Sequence, residues 1–304
     1  MTFVSKSAAV VAMVGLAGAM ASAFAADLPP SSTMMAEVPP AQSLVPDSGV
    51  LLGAGASYNR VGFDDQSIYA TGLSNVYENG VLVANGAATG GTGVGVDSDD
   101  TVAPLVQLGY FQHFPESDWL WGAKFSYAYL GASSSADNLL VPQSGAFNSS
   151  NGASFAGNLY VRSYEVQIEH QLALLPFIGR SFEKGFIYAG GGPTLSYVTS
   201  GMNGVIGFAD INGVHQDITG RPTNFSSSEW VFGGAATVGA TYFLSRDWFI
   251  DVNYTYAVTR KTSERFAATF DNPSRGYTYT GVGFGTYAGS TETQSIGISI
   301  NRVF

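Results

Sequence analysis

The chain has no cysteine, which excludes a disulfide framework, thiolate catalysis and cysteine metal sites. Charged residues are scarce, and the formal net charge of −10 argues against nucleic acid as a partner. After the N-terminal region, no run approaches the roughly 20 apolar residues that a membrane-spanning helix needs. The longest run, Leu172 to Ile178, is interrupted by Pro176. If this chain crosses a membrane, it must do so with the strands of a closed barrel.

The N-terminal region has the organisation of an export signal. Lys6 supplies a positive charge, a stretch rich in small apolar residues runs from Ala8 to Ala21, and Ala23-Phe24-Ala25 fits a small-x-small cleavage site. We predict a removed signal peptide over residues 1–25, because the stretch is too short for a spanning helix; a retained anchor is the alternative. Residues 26–49 contain five prolines and are predicted to form an extended periplasmic lead-in.

From Val50 onward, apolar and polar residues alternate with the period of two that is typical of β-strands. The last strand shows this most clearly, with isoleucines on one parity, small and polar residues on the other, and a phenylalanine at the C-terminus. Such a strand is typical of outer-membrane barrels, in which one face meets lipid and the other meets the lumen. We predict eight strands, over residues 50–61, 102–114, 119–130, 159–172, 186–198, 229–243, 248–259 and 291–304.

The connections between these strands alternate in length. Residues 115–118 and 244–247 form short turns, and residues 173–185 form a longer link. The other four connections are long and rich in glycine, serine, asparagine, aspartate and threonine; they are residues 62–101, 131–158, 199–228 and 260–290. Short periplasmic turns and long extracellular loops are the expected asymmetry of outer-membrane barrels.

The sequence therefore predicts an all-β protein, a transmembrane, antiparallel, up-and-down β-barrel of eight strands over residues 50–304, in the bacterial outer membrane. The alternative is a soluble sandwich or a lipocalin-like barrel, in which the apolar parity points inward. Aromatic residues at both ends of the strands favour the membrane interpretation, because such rings prefer the two interfaces. The predicted aromatic girdle comprises Trp119, Trp121, Trp230, Trp248, Tyr127, Tyr129, Tyr254 and Tyr256.

The pattern resembles a known superfamily. An AxA-type signal followed by Ala26-Asp27-Leu28-Pro29, the predicted turn Leu175-Pro176-Phe177-Ile178-Gly179-Arg180 and the ending Ser299-Ile300-Asn301-Arg302-Val303-Phe304 carry the resemblance. Together with the eight strands, they resemble OmpA-like eight-stranded outer-membrane barrels, in particular the Omp25/Omp31-like surface proteins of α-proteobacteria. Arg302 departs from the pattern, because such ends usually keep a hydrophobic or aromatic residue there; we expect it to snorkel to the headgroup level.

The resemblance implies a structural and surface-interaction protein that supports the envelope. Its expected partners are outer-membrane lipid, lipopolysaccharide and the barrel-assembly machinery, while the ligand of the surface loops stays open. Ile298, Ile300 and Phe304 are predicted to form the C-terminal assembly signal. The alternative function is a small, low-conductance porin.

Charged residues on the predicted inward parity are candidates for a lumenal site. Lys124, Glu165, Glu169 and Asp251 form the predicted lumenal charge cluster. By their distances from the short turns, Lys124, Glu169 and Asp251 are expected to share one level. The cluster could gate a narrow passage, or it could be the structural pairing that buried charges normally require.

Enzymatic signals are weak, and we predict no catalytic, cofactor or metal site. His215 and Asp217 share a predicted extracellular loop, but no Gly-x-Ser-x-Gly elbow accompanies them. The run Asp97-Ser98-Asp99-Asp100 lacks the glycine and distal glutamate of an EF-hand loop, so it is interpreted as solvated loop charge.

Overall fold

The computed structural model describes residues 43–148, 154–211 and 213–304. The predicted signal peptide and most of the predicted lead-in lie outside the described residues. No helix in the described parts is long and apolar enough to span a membrane. The strands are β1 Ser48–Glu78, β2 Val81–Gly93, β3 Asp99–His113, β4 Trp119–Asn148, β5 Ser154–Phe182, β6 Gly185–Ile211, β7 Val214–Asp217, β8 Thr223–Phe243, β9 Trp248–Thr259, β10 Thr262–Ser274 and β11 Tyr277–Val303.

Within the described residues, eight strands pair antiparallel in a closed ring: β1, β3, β4, β5, β6, β8, β9 and β11. The first and last of them close it, with Leu51 opposite Val303. Val50 and Phe304 also exchange backbone hydrogen bonds of 3.2 and 2.9 Å. Closure satisfies the backbone groups that a free edge would expose. The predicted antiparallel eight-stranded barrel is confirmed.

The prediction of four long loops was wrong, because most of these residues continue the strands. β1 alone is 31 residues long, and it stays paired with β11 as far as Tyr277. We call the strand segments within residues 62–101, 131–158, 199–228 and 260–290 the β-extension. It projects from the barrel at the end opposite the short turns. Its many small and β-branched residues form ordinary strands once a neighbour supplies the ladder of hydrogen bonds.

Two tight turns at the tip of the β-extension explain this length. Asn79-Gly80 joins β1 to β2, and Arg275-Gly276 joins β10 to β11. Their φ angles are 48° and 80° in the first turn and 50° and 87° in the second. Positive φ at both central residues is the requirement of a type I′ hairpin turn, which glycine meets without strain. These turns let the flanking strands pair over their full length.

In the β-extension, β10 and the outer part of β8 face each other without a backbone ladder, and we call this gap the seam. On one side of the seam, β10 pairs only with β11; on the other, residues 223–231 of β8 pair only with β6. At its base, the amide of Arg260 donates to the carbonyl oxygen of Phe232 at 2.9 Å. A second gap lies elsewhere in the β-extension, because residues 132–143 of β4 pair with β5 and have no ladder to β2 or β3 among the described residues.

The third short turn also differs from the prediction. β5 continues to Phe182 and reaches β6 through Glu183-Lys184 alone, so the predicted link over residues 173–185 is mostly strand. The β5–β6 ladder is interrupted between the pair Ala173–Thr194 and the pair Phe177–Gly190. Pro176 and Pro193 both lie in this gap. A proline lacks the amide that a ladder needs, so it is tolerated at such a gap.

Candidate functional site in the barrel lumen

The lumen is closed near the short turns by a single layer of apolar side chains, which we call the lower layer. Each of the eight barrel strands contributes one buried residue to it: Leu51, Phe111, Leu120, Phe177, Phe186, Phe243, Phe249 and Val303. The aromatic rings pack at centroid separations of 5.5 Å for Phe111–Phe186 and 4.9 Å for Phe243–Phe249. Glycine at position 122 makes room, because a Cβ there would collide with the ring of Phe177. Large and small residues thus alternate around a narrow barrel interior.

A polar network lies directly above the lower layer. Lys124 Nζ is 3.0 Å from Asp251 Oδ2, and both side chains are buried. Tyr188 donates its hydroxyl hydrogen to Asp251 Oδ1 at 2.8 Å and also accepts a hydrogen bond from Lys124. The Lys124 ammonium lies 4.0 Å from the centroid of the Tyr188 ring, close enough for a cation–π contact.

Amide side chains complete this network. The two hydrogens of Gln107 Nε2 are shared among three acceptors, Asp251 Oδ2 at 3.3 Å, Ser299 Oγ at 2.8 Å and Asn301 Oδ1 at 2.6 Å. Asn253 Nδ2 donates to Asp251 Oδ2 at 3.1 Å. Asp251 therefore accepts from a cation, a phenol and two amides, which is the compensation that a buried carboxylate requires.

Above the network, the lumen holds a small polar cavity and then narrows to a second apolar layer. The cavity measures ≈50 Å³. The hydroxyls of Ser57 and Thr194, which line it, have no hydrogen-bond partner among the described residues. The space is large enough for water to satisfy them. A second apolar cluster, the upper layer, lies beyond it and includes Val61, Phe63, Leu130, Tyr164, Ile168, Met202, Val231 and Tyr287.

The structure brings together only part of the predicted lumenal charge cluster. Lys124 and Asp251 meet as expected, but Glu165 is exposed and Glu169 is half-buried, 3.8 Å from His170. The reason is a register shift between Ile168 and His170, at which β5 gains a residue. Such a bulge reverses the facing of every residue beyond it. The predicted outward residues Tyr164, Val166 and Ile168 therefore point into the upper layer.

The predicted aromatic girdle lies on the outer surface. Trp119 and Trp248 are the first residues of strands that follow short turns. Trp230 lies at the opposite end of the barrel, where its ring stacks on that of His170 with a centroid separation of 6.3 Å. Tyr127 hydrogen-bonds His170 Nδ1 at 2.9 Å beside it. The other predicted members, Trp121, Tyr129, Tyr254 and Tyr256, are exposed as well. Between the two aromatic levels, the outer face is mostly valine, leucine, isoleucine and phenylalanine.

The predicted C-terminal assembly signal also faces outward. Ile298, Ile300 and Phe304 are exposed on the outer face of β11. The Arg302 guanidinium lies 4.8 Å from the ring of Phe304 and 5.9 Å from the ring of Trp248. Its stem therefore runs along apolar surface while the charge rests against two rings, which agrees with the expectation of a snorkelling arginine.

The remaining candidate residues do not assemble into a site. His215 Nδ1 is 3.0 Å from Asp210 Oδ1 across the β6–β7 pair, while the Asp217 carboxylate accepts from the amide of Gly220 at 2.8 Å. Asp99 accepts from the amide of Ser133 at 2.9 Å. Among the described residues, no three histidine or acidic side chains are grouped closely enough to hold a metal ion.

Sequence reasoning missed the lower layer, although a signal for it exists. Phe111, Leu120, Phe186, Phe243 and Phe249 lie within a few positions of the short turns. Each has the parity of the polar, inward side chains of its strand. Large apolar residues on a polar parity, repeated at one end of many strands, indicate a plug rather than a wet lumen.

A closed antiparallel ring with an apolar outer belt, aromatic levels at both ends and a packed interior defines the class of bacterial outer-membrane β-barrels. No family model matches the sequence, and no curated protein matches it either. Three solved structures illustrate what the chain is similar to, and their TM-scores stay below 0.5, so the class rests on the barrel geometry itself.

The first is the attachment invasion locus protein Ail of Yersinia pestis, at 13% identity and a TM-score of 0.31, covering 82% of this chain and 99% of that one. The second is the outer membrane protein OprG of Pseudomonas aeruginosa, at 13% identity and a TM-score of 0.34, covering 86% and 99%. The third is Neisserial surface protein A, at 10% identity and a TM-score of 0.19, covering 78% and 97%.

Proposed function

We propose that this protein is a structural and surface-interaction barrel, which stabilises the outer membrane and presents the β-extension to the cell's surroundings. One observation carries the proposal: all eight barrel strands send an apolar side chain into the lower layer. A layer packed to the density of a protein core leaves no path for hydrated ions. The lumen therefore serves to hold the barrel rigid, and the exposed β-extension is the part available for contacts.

Conductance of the refolded chain, starting at Ala26, in a planar bilayer tests this proposal. Heat-modifiable gel mobility serves as the control for folding. A folded and electrically silent protein is the expected result. Stable conductance steps from the folded protein would overturn the proposal and support the alternative of a low-conductance porin.

Removal of the plug sharpens the same experiment. Phe111→Ala together with Phe249→Ala takes two rings from the lower layer, while Lys124 and Asp251 remain in place. If the layer is the seal, this variant should show brief current steps that the parent lacks. The matched control is Phe125→Ala with Phe232→Ala, because these rings point outward. Steps in the control alone would contradict the assignment of the seal.

We propose lipid and lipopolysaccharide as the direct partners of the outer belt, and the assembly machinery as the partner of the C-terminal strand. The exposed aliphatic side chains, the two aromatic levels and the position of Arg302 support this. Native mass spectrometry of the protein extracted from membranes would detect retained lipopolysaccharide. If the extracted protein retains phospholipid and no lipopolysaccharide, the result would count against lipopolysaccharide as a partner.

We also propose kinship with the Omp25/Omp31-like surface proteins. The eight-stranded ring and the outward Ile298, Ile300 and Phe304 support it. The segment from Leu175 to Arg180 supports it less, because it is strand and not a turn. An alignment of relatives that places this segment and the C-terminal strand in one register would test the kinship. If the C-terminal strand does not align with that of the relatives, the proposed kinship is contradicted.

A further inference from the structure

The β-extension encloses an apolar cavity that the surface-barrel function does not use. It measures ≈100 Å³ and lies between the upper layer and a small apolar cluster formed by Val76, Phe147 and Tyr279. Its walls come from seven strands, and Phe266 and Phe270 of β10 form one side. None of the described residues that line it is charged. The lining thus has the composition of a site for an uncharged, apolar ligand.

Two of the polar side chains at the edge of this cavity are already engaged. Gln143 Nε2 donates to the carbonyl oxygen of Gly90 at 3.3 Å. Thr219 Oγ1 accepts from the amide of Gly207 at 2.8 Å. These groups do not call for water inside the cavity. A cavity of about 150 Å³ lined by leucine, isoleucine and phenylalanine stays dry and binds benzene. The cavity here is smaller, at ≈100 Å³, so a single ring is the upper limit of what it holds.

Glycine creates this space. Gly72 and Gly283 lie opposite each other on β1 and β11 and face the cavity. At each of them, an added Cβ would meet nothing within 4 Å. Neither has a positive φ, so the backbone does not require glycine there. The two positions would accept a side chain that fills the cavity, yet both are left empty. A well-packed protein interior normally contains few such voids.

A second cavity lies beside the first one at the seam. It measures ≈200 Å³, shares Leu159, Phe266 and Phe270 with the first cavity and extends to the exposed side chains of Arg221 and Asp271. The shared side chains therefore separate the inner cavity from one that reaches the exposed surface.

Contacts across the seam are weak enough to part. The rings of Phe225 and Phe266 touch at a centroid separation of 4.9 Å, and Asn272 Nδ2 donates to the carbonyl oxygen of Asp217 at 2.9 Å. Ser227 Oγ donates to Glu264 Oε2 at 3.0 Å. Each of these described contacts involves a side chain, so the seam can widen without breaking a β-ladder.

We propose that this cavity binds one small apolar molecule with a single aromatic ring, which enters from the cell exterior through the seam. The volume excludes a lipid acyl chain of ordinary length, and the uncharged lining excludes a phosphate or a sugar acid. Phe147, Phe266 and Phe270 supply ring edges and faces for a bound aromatic ring. The site is separate from the lumen, so it operates whether or not the barrel conducts.

Fluorobenzene is a suitable probe, because its fluorine signal reports binding by NMR. The chain from Ala26, refolded into lipid nanodiscs, should broaden and shift that signal in a saturable way, and toluene should reverse the change. Gly283→Leu, which fills the cavity, should abolish saturable binding. Gly95→Leu is the matched control, because an added Cβ at this exposed glycine also meets nothing within 4 Å. Equal signals from all three proteins would show partition into lipid only and would overturn the proposal.

A variant with a larger cavity keeps the proposal testable if Gly283→Leu does not fold. Phe270→Ala removes a ring from the wall and should admit 1-fluoronaphthalene, which the parent protein is expected to exclude. Naphthalene binding that is equal in the parent and in the variant would contradict the assigned size. Displacement of fluorobenzene by dodecanoic acid, but not by toluene, would assign the site to acyl chains and overturn the aromatic ligand class.

Discussion

Lys124 and Asp251 form an ion pair across the full width of the barrel. Their atoms Nζ and Oδ2 are 3.0 Å apart, and the two side chains are only 7% and 1% exposed. Lys124 lies on β4 and Asp251 on β9, strands that are four places apart in the ring of eight. The pair therefore ties opposite walls together, directly above the lower layer.

Removal of Lys124 should destabilise the barrel without opening it. Lys124→Ala leaves a buried carboxylate without its cation, a change that costs about 3–5 kcal/mol in other proteins. Unfolding by urea in lipid vesicles, followed by tryptophan fluorescence, measures this loss. The double variant Lys124→Met/Asp251→Asn should recover part of it, because no unpaired charge remains.

Two comparisons make this prediction specific. Lys261→Ala removes an exposed pair with Asp65, 3.9 Å away, and should change stability by no more than about 1 kcal/mol. Bilayer conductance of Lys124→Ala should stay silent, because the lower layer remains intact. A double variant as unstable as Lys124→Ala would show that the charge imbalance is not the cause. New conductance in Lys124→Ala would revive the gating hypothesis.

Substitutions on β5 test the bulge that reversed the predicted facing. Ile168 is fully buried in the upper layer, so Ile168→Ala should cost about 2–5 kcal/mol. Leu174, past the bulge, is 48% exposed on the outer face, and lipid can close around a shorter side chain there. Leu174→Ala should therefore cost less. The same urea titration measures both, and the reverse order would return Ile168 to the lipid face.

The period of two predicted which strands exist better than which way they face. The last strand was predicted correctly, because Ile296, Ile298 and Ile300 are exposed, whereas Gly297, Ser299 and Asn301 are buried. On β5, one extra residue near Glu169 inverts the pattern, and a bulge leaves no mark in a simple alternation of polarity. Alternation therefore predicted the facing of only two of the four residues in the charge cluster correctly, Lys124 and Asp251.

The β-extension could have been found from its turns. Asn79-Gly80 is a strong sequence signal for a two-residue hairpin, and it lies in the middle of a predicted loop. The strands on either side of it are rich in glycine and alanine, so they carry little hydrophobic alternation. The seam and the apolar cavity depend on pairing between strands that are distant in sequence. A local pattern does not contain that information.

The C-terminal phenylalanine should matter for assembly more than for stability. Phe304 is 66% exposed, and its contribution to closure comes from backbone hydrogen bonds to Val50, which Phe304→Ala retains. Refolded Phe304→Ala should therefore match the parent in urea. In cells, the folded, heat-modifiable fraction should fall, because the outward ring is the part that the assembly machinery can contact.

Ile296→Ala is the control for this substitution, since Ile296 is 56% exposed on the same face of the same strand. It should leave assembly in cells nearly unchanged. Equal assembly of both variants would remove Phe304 from the predicted signal. A large loss of stability of refolded Phe304→Ala would assign the ring a structural role instead.

We predict that Glu229 destabilises the folded protein at neutral pH and that this effect disappears in acid, where its carboxylate is protonated. Glu229 directly precedes Trp230 of the upper aromatic level, on the side of the β-extension, and its half-buried side chain lies near Glu264. Burial raises the pKa of Glu229, and the neighbouring Glu264 carboxylate raises that pKa further. The folded state therefore holds this proton more tightly than the unfolded state, whose glutamate pKa is about 4.3.

The sign of the pH effect follows from this difference. Below the unfolded pKa, both states are protonated, so the group has no effect on stability. As the pH rises from there through the raised pKa of the folded state, deprotonation of the unfolded chain is favoured and stability is lost. Glu229→Gln removes that loss, so its thermal unfolding temperature should exceed that of the parent at neutral pH, and the gap should close in acid. Glu78→Gln, at an exposed position near the tip, should show no such gap at either pH. A gap that is the same at both pH values would mean that the carboxylate's charge is not its source.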